Sequence, residues 1–173
     1  LLSIPAEPEY QFFRSQKAVY DRFNEPYFSY SGPTSMGKSF IMRMYIKKQI
    51  MDGIACNFAI LVPTKALINE VTSRIINDLK ELLAEHNYRL ITSAGALSLK
   101  QDHNFILVLT PERLLYLLID NPHIGVDYLF VDEAHKISSR GPRSTFYYKV
   151  VDMLYQRTRK PKVIFASPNI PNP

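Results

Sequence analysis

Two short strings in this sequence hold side chains that do chemistry only when brought together. The first is Gly32-Pro33-Thr34-Ser35-Met36-Gly37-Lys38-Ser39. It meets every fixed position of the pattern G-x-x-x-x-G-K-S/T. Glycines let a backbone curl so that several N–H groups point inward, where they hold phosphate oxygens. A helix starting near Lys38 adds the positive end of its dipole to the same spot. Lys38 then sets a point charge on the β- and γ-phosphates of a nucleotide, and Ser39 offers a hydroxyl to Mg²⁺. A Gly-rich turn arising by chance would rarely carry the whole pattern between a strand and a helix.

The second string, Leu129-Phe130-Val131-Asp132-Glu133-Ala134-His135, is an apolar run that ends in two acids. Carboxylates at the C-terminal end of a parallel strand face the ligand crevice of an open α/β sheet. Asp132 is placed to hold Mg²⁺, through water, and Glu133 to orient the water that attacks a γ-phosphate. Adjacent acids in a turn are common, so this pair gains its meaning from the phosphate loop upstream. His135 has no constellation of its own, and His86, His103 and His123 read as surface residues. No Cys/His metal cluster and no Ser/His/Asp arrangement is evident.

Elements that could position these groups alternate along the chain. A short aromatic strand, Tyr27 to Tyr30, leads into the loop, and a helix is expected from Lys38 to Met51. Phe58 to Val62 is continuous apolar sequence, as in a buried parallel strand. Thr64 can cap a helix running to Glu85, with an apolar stripe of Leu67, Val71, Ile75, Leu79 and Leu82. Further strands are expected at Arg89–Thr92, Phe105–Leu109, Tyr128–Val131 and Val163–Ala166. Helices are expected from Pro111 to Ile119, with proline in the first turn, and from Thr145 to Arg157. The tail from Ser167 to Pro173 reads as a loop. Repeated strand–helix alternation argues for a mostly parallel sheet with helices on both faces.

Bulk properties set wider bounds. The 173 residues suit one domain, and 46% hydrophobic with 21% charged residues is ordinary for a globular chain. A net charge of +5 is a mild bias toward polyanions such as nucleic acid. The single cysteine, Cys56, cannot form an internal disulfide and reads as a small core residue. Apolar stretches are too short to span a bilayer, so no membrane association and an intracellular, cytoplasmic setting (nuclear in a eukaryote) are expected. The ends, Leu1 and Pro173, read as cuts within a longer chain.

The loop at Gly32–Ser39 followed by Asp132-Glu133-Ala134-His135 resembles superfamily 2 helicases of the DEAD/DEAH-box type. Pro63-Thr64-Lys65-Ala66-Leu67 looks like that family's motif Ia, and Thr110-Pro111-Glu112-Arg113 like motif Ib. Ser167-Pro168-Asn169 stands where motif III, usually Ser-Ala-Thr, is expected. Gln16 is similar in position to the glutamine that reads adenine. The run Ser167 to Pro173, with Arg140-Gly141, resembles more weakly the processive DNA-repair and RNA-surveillance helicases. Two departures stand out: Ser35 replaces a common glycine, and Pro168-Asn169 replaces Ala-Thr.

The resemblance implies an αβα domain in three layers, a RecA-like P-loop NTPase fold, with the strand ending at Ala166 between the loop strand and the acidic strand. It implies Mg²⁺-dependent ATP hydrolysis with Lys38, Asp132 and Glu133 as catalytic groups and Ser39 and Asp132 at the metal. His135 and Ser167 would couple hydrolysis to movement. Thr64, Lys65, Thr110 and Arg113 would contact the backbone of DNA or RNA. Thr64 and Thr110 could equally cap helices. The basic group Arg157, Arg159, Lys160 and Lys162, near Tyr147, Tyr148 and Tyr155, reads as a solvated helix end. The whole chain, 1–173, is expected to be the first of two RecA-like domains. The second would supply an arginine finger; Arg140 and Arg143 are the nearest internal candidates. Two other functions remain open: a translocase of a nuclease or remodelling complex without strand separation, and a nucleotide-dependent binding switch with negligible turnover.

Overall fold

A computed structural model describes residues 1–32, 37–93, 102–137 and 142–168, without the side chains of 136, 137, 142, 143 and 168. Pro33, Thr34, Ser35 and Met36 of the phosphate loop, Arg140 and Asn169 lie outside the described residues, as does the Arg143 side chain.

A two-stranded hairpin comes first: β1 (Ser3–Ile4) and β2 (Glu7–Gln11), antiparallel. Then follow α1 (Arg14–Tyr20), β3 (Tyr27–Gly32), α2 (Lys38–Met51), β4 (Phe58–Leu61) and α3 (Lys65–Glu85). The chain continues through β5 (Tyr88–Ile91), β6 (Asn104–Leu109), α4 (Pro111–Asp120) and β7 (Tyr128–Val131). It ends in α5 (Ala134–Ile137), α6 (Pro142–Tyr155) and β8 (Lys162–Pro168).

Six strands form one sheet in the order β3-β8-β7-β4-β6-β5, and every neighbouring pair is parallel. The last strand thus lies between the loop strand and the acidic strand, as expected. Alternation along the strands divides the core in two. Phe28, Tyr30, Phe58, Ile60, Ile106, Val108, Tyr128, Phe130 and Ile164 face α1, α2 and α3. Ala59, Leu61, Leu107, Leu109, Leu129, Val131, Val163 and Phe165 face α4 and α6. With both faces covered, the central strands are buried at nearly every residue, which is why they read as unbroken apolar runs. The result is the three-layer αβα arrangement.

Local details differ from the expectations where polar residues give no periodic signal. The α3 stripe is Ile68, Val71, Ile75, Leu79 and Leu83, with Leu67 and Leu82 only partly buried. Thr64 caps α3 through Oγ1, which accepts the Leu67 N–H at 3.2 Å. Ser167 and Pro168 are not loop: they complete β8 and pair with Ser31 and Gly32. Proline is tolerated there because it closes the strand, where no further ladder bond is needed. His123 is exposed, but His86 and His103 are half-buried, and His103 Nδ1 lies 3.1 Å from the Asn104 carbonyl. Cys56 is buried, and burial pushes its thiol up to about 11, so it is a core residue and no thiolate nucleophile. Among the described residues, no helix is long and apolar enough to cross a membrane.

Candidate active site

The C-terminal ends of β3 and β7 bring the two chemical strings together, with β8 between them. Gly37 precedes α2 at φ 68, a left-handed conformation that glycine adopts without a steric penalty. Lys38 is buried at 8% exposure, and its Nζ donates to the Gly32 carbonyl at 2.5 Å. The ammonium thus bridges the two ends of the loop at Gly32 and Lys38. Beneath it, the buried Tyr30 hydroxyl donates to the Lys38 carbonyl at 3.0 Å, fixing the start of α2 to the sheet.

Asp132 follows the last residue of β7, and its N–H still donates to the Leu61 carbonyl at 2.9 Å. Its Oδ1 accepts the Glu133 N–H at 3.0 Å. Glu133 itself sits at φ 52, left-handed and rare for a residue with a side chain. Burial, then the neighbouring Glu133 charge, raise the Asp132 carboxyl above the usual carboxylate range. The Glu133 N–H and Lys38 pull it the other way but lose. An anion held out of water beside another anion is stabilised by a nearby cation. A cleft of about 280 Å³ joins Gly37, Lys38, Ser39 and Phe40 to Asp132 and Glu133, with Leu67, Glu70, Val71 and Arg74 of α3 on its far wall. Its oxygen donors, Ser39, Asp132 and Glu133, are hard ligands of the kind Mg²⁺ takes alongside water and phosphate.

The remaining expected residues fall around this cleft to different degrees. Gln16 is buried on α1, and its Oε1 accepts the Phe13 N–H at 2.8 Å. A β-carbon placed on Gly37 would stand 3.3 Å from Gln16 Nε2, so the glutamine borders the phosphate loop directly. An aromatic knot holds α1 there: Phe12 packs on Tyr20 at 5.1 Å, and Phe23 on Tyr45 and Phe130 at 5.3 and 5.5 Å between centroids. His135 Nε2 lies 3.5 Å from Glu133 Oε2, while its buried Nδ1 has no hydrogen-bond partner among the described residues. Parallel pairing sets Ser167 beside Ser31, two residues past the Val131–Phe165 pair. It therefore stands between the ends of the two chemical strands.

Thr64 and Thr110 follow the adjacent parallel strands β4 and β6, so both stand at the sheet's C-terminal edge. Lys65 is exposed. Thr110 is only 8% exposed and makes no side-chain cap bond, although its carbonyl accepts the Leu114 N–H at 3.0 Å. Arg113 is half-buried and donates to the Thr92 carbonyl at 3.4 Å. The basic group at residues 157–162 lies at the opposite end of the sheet, leading into β8, whose first residue is Lys162. Arg157 donates to the Leu118 carbonyl, Arg159 pairs with Asp127 at 3.1 Å, and Lys162 sits over the Tyr128 ring. Glu70 and Arg74 on the cleft wall, and Arg43 beside Ser39, carried no local signal in the sequence, because packed helix faces bring them there.

The sheet order, the loop and the acidic strand end define a RecA-like domain. The chain belongs to the DEAD/DEAH box helicase family, which matches residues 14–172. It is similar to an ATP-dependent RNA helicase, MAK5, of Candida glabrata: 27% identical over 124 residues, 62% of this chain and 17% of that protein. The fold is shared with the DUF1998 helicase MrfA bound to DNA and AMPPNP, at TM-score 0.70 and 17% identity, over 94% of this chain and 25% of that one. It is also shared with the Hef helicase domain of Pyrococcus furiosus, at TM-score 0.67 and 18% identity, over 92% and 34%. The chain spans well under half the length of each of these proteins. It is a helicase-type motor domain.

Proposed function

We propose that the domain binds and hydrolyses ATP and couples this to movement along nucleic acid. The observation that carries the proposal is the convergence of Lys38, Ser39, Asp132 and Glu133 on one cleft. The loop N–H groups and Lys38 would take the β- and γ-phosphates, and Gln16 the adenine. Ser39 and Asp132 would hold Mg²⁺, which when bound neutralises phosphate charge. Glu133 orients a water in line with the γ-phosphorus and receives its proton. Its carboxylate has the His135 ring as a neighbour at 3.5 Å. Ser167, between the two strand ends, is placed to feel both the loop and the acids. The AMPPNP-bound MrfA neighbour supports ATP as the nucleotide.

Thr64, Lys65, Thr110 and Arg113 would form the nucleic-acid track along the sheet's C-terminal edge. Backbone contacts of this kind position a strand and read little sequence. The DNA-bound MrfA neighbour and the RNA helicase relative leave both polymers as substrates. Beside the cleft the buried Arg43 pairs with Asp78, and on its wall Arg74 makes an exposed ion pair with Glu70. As the family resemblance implies, we assign the transition-state arginine to a second RecA-like domain in the same full-length protein, which closes over the nucleotide. ATPase assays with single-stranded DNA and RNA test this reading. Full-length protein should show nucleic-acid-stimulated hydrolysis, and residues 1–173 alone should be slower by roughly 10³-fold or more. Equal stimulated rates would refute the two-domain reading. Nucleotide binding with no turnover in full-length protein would instead identify a binding switch.

A further inference from the structure

Arg43 lies one turn beyond Ser39 on α2 and is only 7% exposed. A guanidinium cannot shed its charge, so burial obliges it to find partners. It has two. Nε donates to Asp78 Oδ2 of α3 at 2.7 Å, and Nη1 donates to Ser39 Oγ at 3.2 Å. The Phe40 ring lies 5.9 Å from Cζ and closes a further side. A permanent cation is thus hydrogen-bonded to the very hydroxyl that the reading above gives to Mg²⁺.

We propose that Arg43 is a positioning residue whose fixed charge, balanced by Asp78, sets how strongly nucleotide binding depends on Mg²⁺. The proposal rests on the nucleotide reading of this cleft. A serine oxygen has two lone pairs and one proton. Arg43 occupies one lone pair, which leaves the other to face the cleft and the proton free to turn toward a carboxylate. A Mg²⁺–oxygen contact is about 2.1 Å, so the metal and the guanidinium would stand only about 5 Å apart. They repel, and the arginine's positive charge at the same place favours the phosphates without metal. Asp78 has the opposite effect on both quantities. The pair therefore trades metal affinity against metal-free nucleotide affinity.

The two halves of this ion pair must act with opposite sign. In full-length protein, binding of a fluorescent ATP analogue is titrated in EDTA and across Mg²⁺ concentrations. Arg43→Gln keeps a donor for Ser39 but drops the charge. It should lower the half-saturating Mg²⁺ roughly tenfold and weaken binding in EDTA by a similar factor. Asp78→Asn should raise the half-saturating Mg²⁺ and strengthen binding in EDTA. The double variant should return close to wild type. A bridge that merely staples α2 to α3 predicts the same direction of change in both single variants. That result, or no change in either, would overturn the proposal while leaving the nucleotide reading intact. Wild-type protein that binds no nucleotide at any Mg²⁺ concentration would overturn both.

Discussion

Gly37 and Gly53 offer a matched pair of substitutions that separates backbone strain from function. Both sit in the left-handed region, at φ 68 and 72. A side chain there costs about 1–2 kcal/mol, because Cβ crowds the following carbonyl. For a chain of this size, each kcal/mol lowers the melting temperature by about 2–4 °C. Gly37→Ala and Gly53→Ala should therefore each lower it by about 2–8 °C. Their surroundings differ. A β-carbon at Gly53 meets nothing within 4 Å, whereas one at Gly37 meets Gln16 Nε2 at 3.3 Å and Phe40 Cβ at 3.5 Å. To relieve the first contact, Gln16 must move by a few tenths of an ångström while holding the Phe13 N–H. Gly37→Ala should therefore lose affinity for an ATP analogue by about tenfold or more, and Gly53→Ala should lose none. Thermal unfolding by circular dichroism and nucleotide titration by fluorescence measure the two effects. Equal affinity in both variants would refute the placement of Gly37 in the binding loop. An unchanged melting temperature in Gly53→Ala would refute the strain estimate.

Two further outcomes follow from the electrostatics. The folded state holds the Asp132 carboxyl above its ordinary value, so it binds more protons than the unfolded chain in that window. Asp132 should thus lower the stability of the nucleotide-free protein as pH rises from the normal carboxylate value through its raised one. Asp132→Asn should remove that slope, raise the melting temperature at neutral pH and abolish turnover; a variant less stable than wild type at pH 7 would contradict this. At the proposed nucleic-acid track, Lys65→Ala and Arg113→Ala should each weaken binding alike on all sequences and flatten the log affinity against log salt slope by about one. A change confined to one sequence would argue against a backbone contact.

What the sequence made legible follows from where its signals are local. The start of α2 could be read because glycine, lysine and serine each have a job at a helix N-terminus that grips phosphate. The central strands could be read because parallel strands buried on both faces leave no polar interruption. The β1–β2 hairpin could not, since its residues are short, mostly exposed and without alternation. The α3 stripe was displaced at its ends because leucine at 67 and 82 is as apolar as isoleucine at 68 and leucine at 83. Only packing against α2 and the sheet decides which side turns inward. Pro168 looked like a breaker, but a strand's final residue owes its neighbours nothing further. Arg43 and Asp78 are 35 positions apart, and neither has a neighbour that betrays the other. Their meeting is a property of two helices packed on one face.

One cleft is proposed both to hold ATP and to cleave it, with Lys38 for the first task and Glu133 for the second. Binding of a fluorescent ATP analogue and steady-state hydrolysis, measured side by side in full-length protein, test it most directly. Lys38→Ala should lose nucleotide binding and turnover together. Glu133→Gln should bind as wild type yet turn over about a hundredfold or more slowly, because it keeps the shape and loses the base. Full affinity in Lys38→Ala, or a near wild-type rate in Glu133→Gln, would contradict the account.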